Sequence, residues 1–464
     1  MKNIYKKYWL IGVVFMSFLS CNNDTETLFP DSPAERIQQS NSELLNLLLA
    51  EPNGYKGVYF PKNDEFGGFT FFMKFNADGT VEMTSDFDSD TAIQTSSYEV
   101  RYGTTTELVF TTRNHIQKVS NPNYPGLIGT GFKGTSVFQY FGNDNGIITL
   151  KDVRNVDSGS FVLTPSGLTN FTTESVIKAE ASLAQRQNIL PKASNSVFQV
   201  LKIEKGDQVF NFNFNYDAFR LYASPRVTLV DNDVISVEEF KFGIAFTEDG
   251  LIISPALEFD GEVYENFTYD ADSSSYISTV NGSVAKILFD QAPAFLTDDV
   301  EAVGKPGHQV FGSYLYFGAS PLTSPGFNEL IDTLNQNIVN LGSFAANWSY
   351  SGFEYYAQPD ADGNVNIYIG VFDGAGTTYY GGYSFNQTIE NNKLYLQFNG
   401  SINGNGDFFF DALIPILQFF NSSNGLYFAD QGSFSSDLYS YSNLSSTFTS
   451  ADQPNLRVYG LWYN

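Results

Sequence analysis

Cysteine is almost missing from this chain: Cys21 is the only one in 464 residues. No disulfide can form within the chain, so the fold must hold by burial alone, and a chain of this length can bury enough surface to do so. Histidine is nearly as scarce. His115 and His308 cannot by themselves build a zinc site, and no His-x-x-x-His or cysteine pair is present to complete one, which disfavours a zinc hydrolase. Basic residues are outnumbered, 25 against 51 acidic ones, for a net charge of −26. That charge repels phosphate backbones and argues against nucleic acid as a partner, while favouring neutral ligands, cations or basic surfaces; it also serves plain solubility. The apolar run from Tyr8 to Leu19 is too short to span about 30 Å of hydrocarbon, which takes about 20 residues.

That run is better read as part of a secretion signal. Lys2, Lys6 and Lys7 precede it, and Phe18-Leu19-Ser20-Cys21 closes it with the pattern at which bacterial lipoprotein signals are cut and acylated. Residues 1–20 are therefore expected to be removed and Cys21 to be lipidated. A diacylglycerol and an amide-linked chain such as palmitate supply the several acyl chains that stable anchoring requires. Residues 21–32 read as a polar tether, acidic at Asp24 and Glu26.

Beyond the tether, Ser32-Pro33-Ala34-Glu35 carries an N-cap, a first-turn proline and a capping-box glutamate, which predicts a helix start. Ile37, Leu44, Leu45 and Leu48 recur at helical spacing until Glu51-Pro52-Asn53-Gly54 stops the pattern. From Tyr55 the period changes to two, in short runs of Phe, Tyr, Val and Ile broken by Asp-Gly or Asn-rich turns, the mark of antiparallel hairpins. One hairpin pattern recurs: Phe69-x-Phe71-x3-Phe75-x2-Asp78-Gly79, Phe240-x-Phe242-x3-Phe246-x2-Asp249-Gly250, Phe353-x-Tyr355-x3-Pro359-x2-Asp362-Gly363 and Tyr383-x-Phe385-x3-Ile389-x2-Asn392. Ser324-Pro325 echoes Ser32-Pro33 before a second apolar stripe, and Glu174 to Gln187 reads as another helix. The fold class expected is mainly β: antiparallel hairpins forming lipocalin-like barrel or sandwich units with a few flanking helices. The expected division is 33–172, 173–310 and 311–464, each a β-rich unit, the first and last opened by a helix.

Motifs that carry chemistry are few. Gly129-Thr-Gly131-Phe-Lys-Gly134 spells a dinucleotide fingerprint, but a β-type run follows where a helix is needed, so it reads as a loop. Ser175-Val-Ile-Lys178 and Ser283-Val-Ala-Lys286 match Ser-x-x-Lys without the Lys-Thr-Gly that should accompany it. Asp86, Asp88 and Asp90 would share one face of a strand, where solvent or calcium could relieve their repulsion, and Asp360-x-Asp362-Gly363-Asn364 resembles part of a calcium loop but coincides with a hairpin turn. No catalytic residue, metal site or cofactor is assigned, calcium being the one ion considered. Two carboxylates at glycosidase spacing would escape notice in a sequence, so an extracellular hydrolase stays as an alternative.

Aromatics are abundant, 44 Phe and 28 Tyr with only 3 Trp, and the alternation assigns most phenylalanines to a core. Trp348, Tyr350, Tyr355, Tyr356, Tyr379, Tyr380, Trp462 and Tyr463 crowd the C-terminal third. Flat rings with polar edges suit stacking on sugars. Trp348, Tyr350, Tyr379, Tyr380 and Trp462 are the ligand-contact residues this reading selects.

The chain also resembles domain-of-unknown-function family 4302, lipoproteins that occur in Bacteroidota. The resemblance rests on Asn53-Gly54-Tyr55, Gly67-Gly68-Phe69, Phe75-x-x-Asp78-Gly79-x-Val81, Ser97-Tyr98, Phe110-Thr-Thr-Arg-Asn114 and Ile147-Ile-Thr-Leu-Lys151. It departs at Thr135 and Val137, where acidic residues are usual, and at Asp152, where glycine is. The resemblance implies an outer-membrane lipoprotein, facing the cell exterior as the acidic residues after Cys21 suggest, and serving nutrient uptake. The function expected is a ligand-binding or interaction module, glycan being the ligand class and an outer-membrane uptake complex the protein partner. A structural partner of an uptake channel is the other alternative.

Overall fold

A computed structural model describes residues 32–231 and 234–463. Cys21, the signal and nearly all of the tether lie outside the described residues.

The first helix, α1 (Pro33–Ala50), begins at the expected capping box: Ser32 accepts from the Glu35 amide and Glu35 from that of Ser32. It buries Leu44 and Leu48 and packs against β4 and β5 of the barrel that follows, β1 (Tyr55–Phe60), β2 (Phe69–Phe75), β3 (Thr80–Ser85), β4 (Gln94–Tyr102), β5 (Thr106–Phe110), β6 (Val137–Asp144), β7 (Ile147–Asp152) and β8 (Ser160–Pro165). Each strand pairs antiparallel with the next and β8 returns to β1, closing the ring. A short helix, α2 (His115–Val119), sits in the crossing from β5 to β6.

Helix α3 (Phe171–Gln185) leads to a second unit: β9 (Phe198–Lys205), β10 (Gln208–Asp217), β11 (Tyr222–Asp231), β12 (Val234–Glu239), β13 (Phe242–Thr247), β14 (Gly250–Phe259), β15 (Glu262–Asp270), β16 (Ser275–Val280) and β17 (Ser283–Asp290). The start of β11 pairs with both β10 and β13, and β17 pairs with β9. Eight of these nine strands therefore form a second closed ring, from which β12 and the far end of β11 extend as a hairpin.

The third unit is again a closed barrel: β18 (Val310–Tyr314), β19 (Ser349–Tyr356), β20 (Val365–Phe372), β21 (Thr378–Glu390), β22 (Lys393–Ser401), β23 (Leu426–Ser435), β24 (Ser440–Ser450) and β25 (Arg457–Tyr463). Helix α4 (Pro325–Val339) follows β18, and α5 (Gly404–Phe420) follows β22. The seam between β22 and β23 is held by a single residue pair, Leu394 with Leu426, and α5 packs over β21 and β22 beside it. The expected division at 172/173 falls two residues into α3, and that at 310/311 one residue into β18.

All four copies of the recurring pattern form hairpins, β2–β3, β13–β14, β19–β20 and β21–β22. Their inward-facing aromatics fill the barrels. Tyr55, Phe71, Phe75, Phe138 and Phe161 pack inside the first barrel, and Phe311, Phe353, Phe385, Phe448 and Trp462 inside the third. Edge-on contacts such as Tyr59–Phe138 at 5.0 Å and Phe311–Phe448 at 4.9 Å add about 0.5–1.5 kcal/mol each beyond the area they bury. A closed ring of eight strands is just wide enough for side chains to fill it.

The first two barrels share one apolar core, joined by polar links. Gly67 and Gly68 amides donate to the carbonyls of Arg220 and Ile244 at 2.7 and 3.0 Å, and Thr70 Oγ1 donates to Phe246 O at 2.6 Å. Glu248, at the β13–β14 turn, accepts from Lys56 of β1 at 2.6 Å and from Lys178 of α3 at 2.9 Å. Burial raises the Glu248 carboxyl, but the two ammonium groups outweigh it and push the group down to about 2 from an ordinary 4.5. Because the folded value is depressed, the stabilisation is present above about 4.5 and is lost as pH falls toward 2. Glu248→Gln should cost about 1–2 kcal/mol at neutral pH and flatten the loss of stability across that acid window. Urea unfolding of both proteins at pH 7 and pH 3 reads both effects.

Candidate functional site

With the barrel interiors filled, open chemistry has to sit on outer faces and loops. The third barrel has one outer face unlike the rest. On strands β25, β18, β19, β20 and β21 the residues of outward phase are mostly tyrosine and glycine: Tyr463, Gly312, Tyr314, Gly352, Tyr356, Tyr368, Gly370, Tyr380 and Gly382, with Glu354 in their midst. Glu354 stands between Gly312 of one neighbour strand and Tyr368 of the other.

The glycines let the rings lie down over the strands. A methyl group on Gly312 would stand 2.7 Å from the Tyr463 ring and 3.0 Å from that of Tyr314; one on Gly352 would meet Tyr314 at 2.6 Å, and one on Gly382 would meet Tyr368 at 3.0 Å. Covering a bare strand glycine with an aromatic ring is a known device for stabilising sheets, so the arrangement has structural value by itself. It also leaves a broad aromatic floor. Tyr316, Tyr356 and Tyr380 are 62%, 39% and 38% exposed.

Glu354 is the polar centre of this floor. One carboxylate oxygen accepts from the Tyr314 hydroxyl and the other from the Tyr356 hydroxyl at 2.9 Å. Burial, then the bond to Glu354, raises both phenols, Tyr356 to about 12, so both stay neutral donors. Among the described residues none of the ion pairs involves Glu354.

Beside the floor the aromatic contacts run inward through Phe317 and Phe434, both buried, before Tyr441 and Tyr439 return to the surface. Tyr314 contacts Phe317 at 5.3 Å, and Phe317 contacts Phe434 at 5.2 Å. Phe434 stacks on Tyr459 at 5.1 Å and on Tyr441 at 5.8 Å, and Tyr441 stacks on Tyr439 at 5.7 Å. A cavity of about 270 Å³ adjoins this stretch, lined among others by Ser313, Tyr314, Asn328, Tyr350 and Tyr459.

The residues chosen from the sequence scatter around this surface. Tyr380 lies on the floor. Its neighbour Tyr379 faces the opposite side of β21, where it stacks on Trp348 at 5.3 Å and 19°, with exposed Phe344 and Phe408 around them. Tyr350 is buried and reaches only the adjoining cavity. Trp462 is buried inside the barrel, its indole donating to Ser446 Oγ at 2.8 Å. Neither Tyr350 nor Trp462 offers a ring face to solvent. Tyr314, Tyr316, Glu354 and Tyr368 were not selected, although the Gly/Tyr outward phase of consecutive strands is a readable signal once the inward phase is fixed by Phe, Ile and Val.

Other polar clusters are structural in their contacts. Ser85 Oγ lies 3.1 Å from His115 Nδ1, while Nε2 faces the Ala92 carbonyl at 2.8 Å. Ser85 and His115 are fully buried, and burial lowers the imidazole below its ordinary value. Asp86 is buried against Arg186 at 3.3 Å, whereas Asp88 and Asp90 both bind Lys118, so the three do not share a face. They lie on the loop after β3, not on a strand. Asp360 Oδ1 accepts from the Asp362 and Asn364 amides within its turn. Gly129 to Gly134 lie among turns before β6. Among the described residues no three His, Cys, Asp or Glu side chains gather as a metal-binding set, and no helix is long and apolar enough to cross a membrane.

The chain belongs to the family described as Domain of unknown function (DUF4302), which matches residues 25–271, just over half of its length. No curated protein matches it. The matched segment covers the first barrel and the second as far as β15, so the tyrosine floor lies outside it.

Gly312→Val should drive the Tyr314 and Tyr463 rings off the sheet and cost about 1–3 kcal/mol, with loss of near-ultraviolet circular dichroism from the displaced tyrosines. Tyr380→Ala, which removes an exposed ring, should stay within about 0.5 kcal/mol of the parent. Thermal unfolding of the two variants separates floor construction from floor use.

Proposed function

We propose that this chain is a lipid-anchored carbohydrate-binding module of the outer cell surface, in which the tyrosine floor of the third barrel receives the glycan. The observation that carries the reading is the floor itself: outward rings laid flat on glycines around one carboxylate. Sugar rings present C–H faces that stack on aromatics and hydroxyl edges that hydrogen-bond to acceptors, and the floor offers both. The rings left exposed, Tyr316, Tyr356 and Tyr380 at the floor and Tyr439 and Tyr441 beyond the buried Phe317 and Phe434, suit a chain of several sugars better than a single one. The anchor part of the proposal rests on the Cys21 signal, and service to a nutrient-uptake complex rests on the family resemblance.

The hydrolase alternative draws less support. That alternative needs a pair of carboxylates flanking the substrate, whereas the floor presents Glu354 as its one carboxylate, and the one close Ser/His pair described, Ser85 with His115, has no exposed surface. A structural partner of a channel calls for a broad apolar patch, whereas this face carries phenol hydroxyls and a carboxylate.

Two measurements test the reading. An alkyne-palmitate label fed to expressing cells should appear on the parent chain and vanish in Cys21→Ala; labelling that persists removes the anchor. On a glycan array, the parent should bind at least one oligosaccharide class, and a Tyr316→Ala/Tyr380→Ala variant should lose roughly tenfold or more in affinity, since an aromatic–sugar stack resembles other aromatic contacts of about 0.5–1.5 kcal/mol each. Trp348→Ala should have little effect on binding, because its face is already stacked on Tyr379. Equal binding by the parent and the tyrosine variant would rule out the floor as the site.

A further inference from the structure

We propose that the Glu354 floor selects glycans whose sugars carry a protonated amine, such as oligomers of a hexosamine lacking its N-acetyl group. The inference rests on the carbohydrate reading above and narrows its substrate class. Both oxygens of Glu354 already accept from phenols, Tyr314 on one side and Tyr356 on the other. The two hydroxyl protons are therefore spent on the carboxylate, and what those hydroxyls turn outward is lone pairs. Ring faces add to this, since an aromatic face carries negative electrostatic potential and attracts ammonium groups. Among the described residues no lysine or arginine pairs with Glu354. The surface thus offers acceptors, negative ring faces and one charge without a cation.

A ligand group meeting Glu354 between Tyr314 and Tyr356 has to donate hydrogen bonds, and one bearing positive charge gains more than a neutral one. An amine on a sugar ring combines the C–H face that stacks with the ammonium that answers Glu354. N-acetylation removes the charge, and a uronic acid reverses it. The net charge of −26 works in the same direction at longer range.

The test uses the full chain in detergent and hexamers of glucosamine, N-acetylglucosamine and glucose, titrated calorimetrically at low salt. The glucosamine hexamer should bind about five- to tenfold more tightly than the glucose hexamer, an advantage that salt reduces. Glu354→Gln should erase most of that advantage while leaving the glucose hexamer unchanged, and Glu390→Gln, at an exposed acid ending β21 ten residues beyond Tyr380, should preserve it. Unchanged near-ultraviolet dichroism in Glu354→Gln shows that the floor is intact, and Glu354→Asp, which retains the charge, should keep part of the preference. Equal affinity for the three hexamers, or a preference that survives Glu354→Gln and so reflects only overall charge, overturns the inference while the carbohydrate reading stands. Failure of all three to bind overturns both.

Discussion

Closure of a period-two chain into eight-stranded rings is the constraint on which the remainder of the molecule depends. In a strand, alternate side chains point to opposite faces, and in a ring of this size the inner set meets at the axis. Phe, Tyr and Trp in the inward phase, such as Phe353 and Tyr355 on β19 and Trp462 on β25, consume the lumen completely. A barrel packed this way cannot hold a ligand as an open-mouthed barrel does. The outward phase is consequently the only place where one strand after another can build a surface, and in the third barrel it is built from tyrosine and glycine. Interior packing and exterior platform are two halves of one alternation: Tyr368 is outward because Ile367 and Ile369 are inward.

This alternation also explains what could be read from the sequence and what could not. The β class, the hairpins at Asp78-Gly79 and Asn391-Asn392, and the helices starting at Ser32 and Ser324 follow from local periodicity and capping, which need no knowledge of the fold. Ring closure depends on pairings such as Tyr55 with Pro165 and Phe311 with Trp462, whose sequence distance hides them. Helix α5 is not among the helices the sequence announces, since 311–464 reads as one opening helix and a β-rich unit; the Asn403 side chain, accepting from the Gly406 amide at 2.7 Å, starts it. For the tyrosine floor, composition draws attention to the C-terminal third of the chain but does not separate one face of its strands from the other. Tyr379 and Tyr380 are adjacent in sequence and on opposite sides of β21, so a list of aromatics chosen without phase mixes core with surface.

The charged groups that are withdrawn from solvent serve joints between elements. Asp86 accepts from the Thr70 amide at 2.8 Å and faces Arg186, which also lies over the Phe69 ring at 5.7 Å. Burial raises the Asp86 carboxyl above its ordinary range, so the pair is held together by geometry against a cost of desolvation. Its value is positional: it ties the segment after α3 to the rim of the first barrel, as Glu248 ties the second barrel to β1 and α3. Asp152, beside the Tyr59 hydroxyl with burial raising both groups, fixes the loop after β7 through the Arg154 and Asn155 amides. The acidic residue that departs from the family pattern is thereby accounted for as a joint.

How the barrels are joined bears on where a costly surface can be carried. The first two share a core and several buried polar links, so a strained element in either would weaken both. The third has its own cores and meets the second through lighter contacts, among them the Val197 amide on Pro454 O and Asn455 Nδ2 on Ala193 O, both at 2.9 Å, and the Phe198–Tyr427 edge contact. Strand glycines and exposed rings lower stability, because glycine adds unfolded-state entropy and bare aromatics stay in water. Placed on the third barrel, that cost is confined to a unit whose partial opening leaves the shared core of the other two intact. A surface rich in glycine and tyrosine is best tolerated where it occurs, on the barrel that the rest of the chain depends on least.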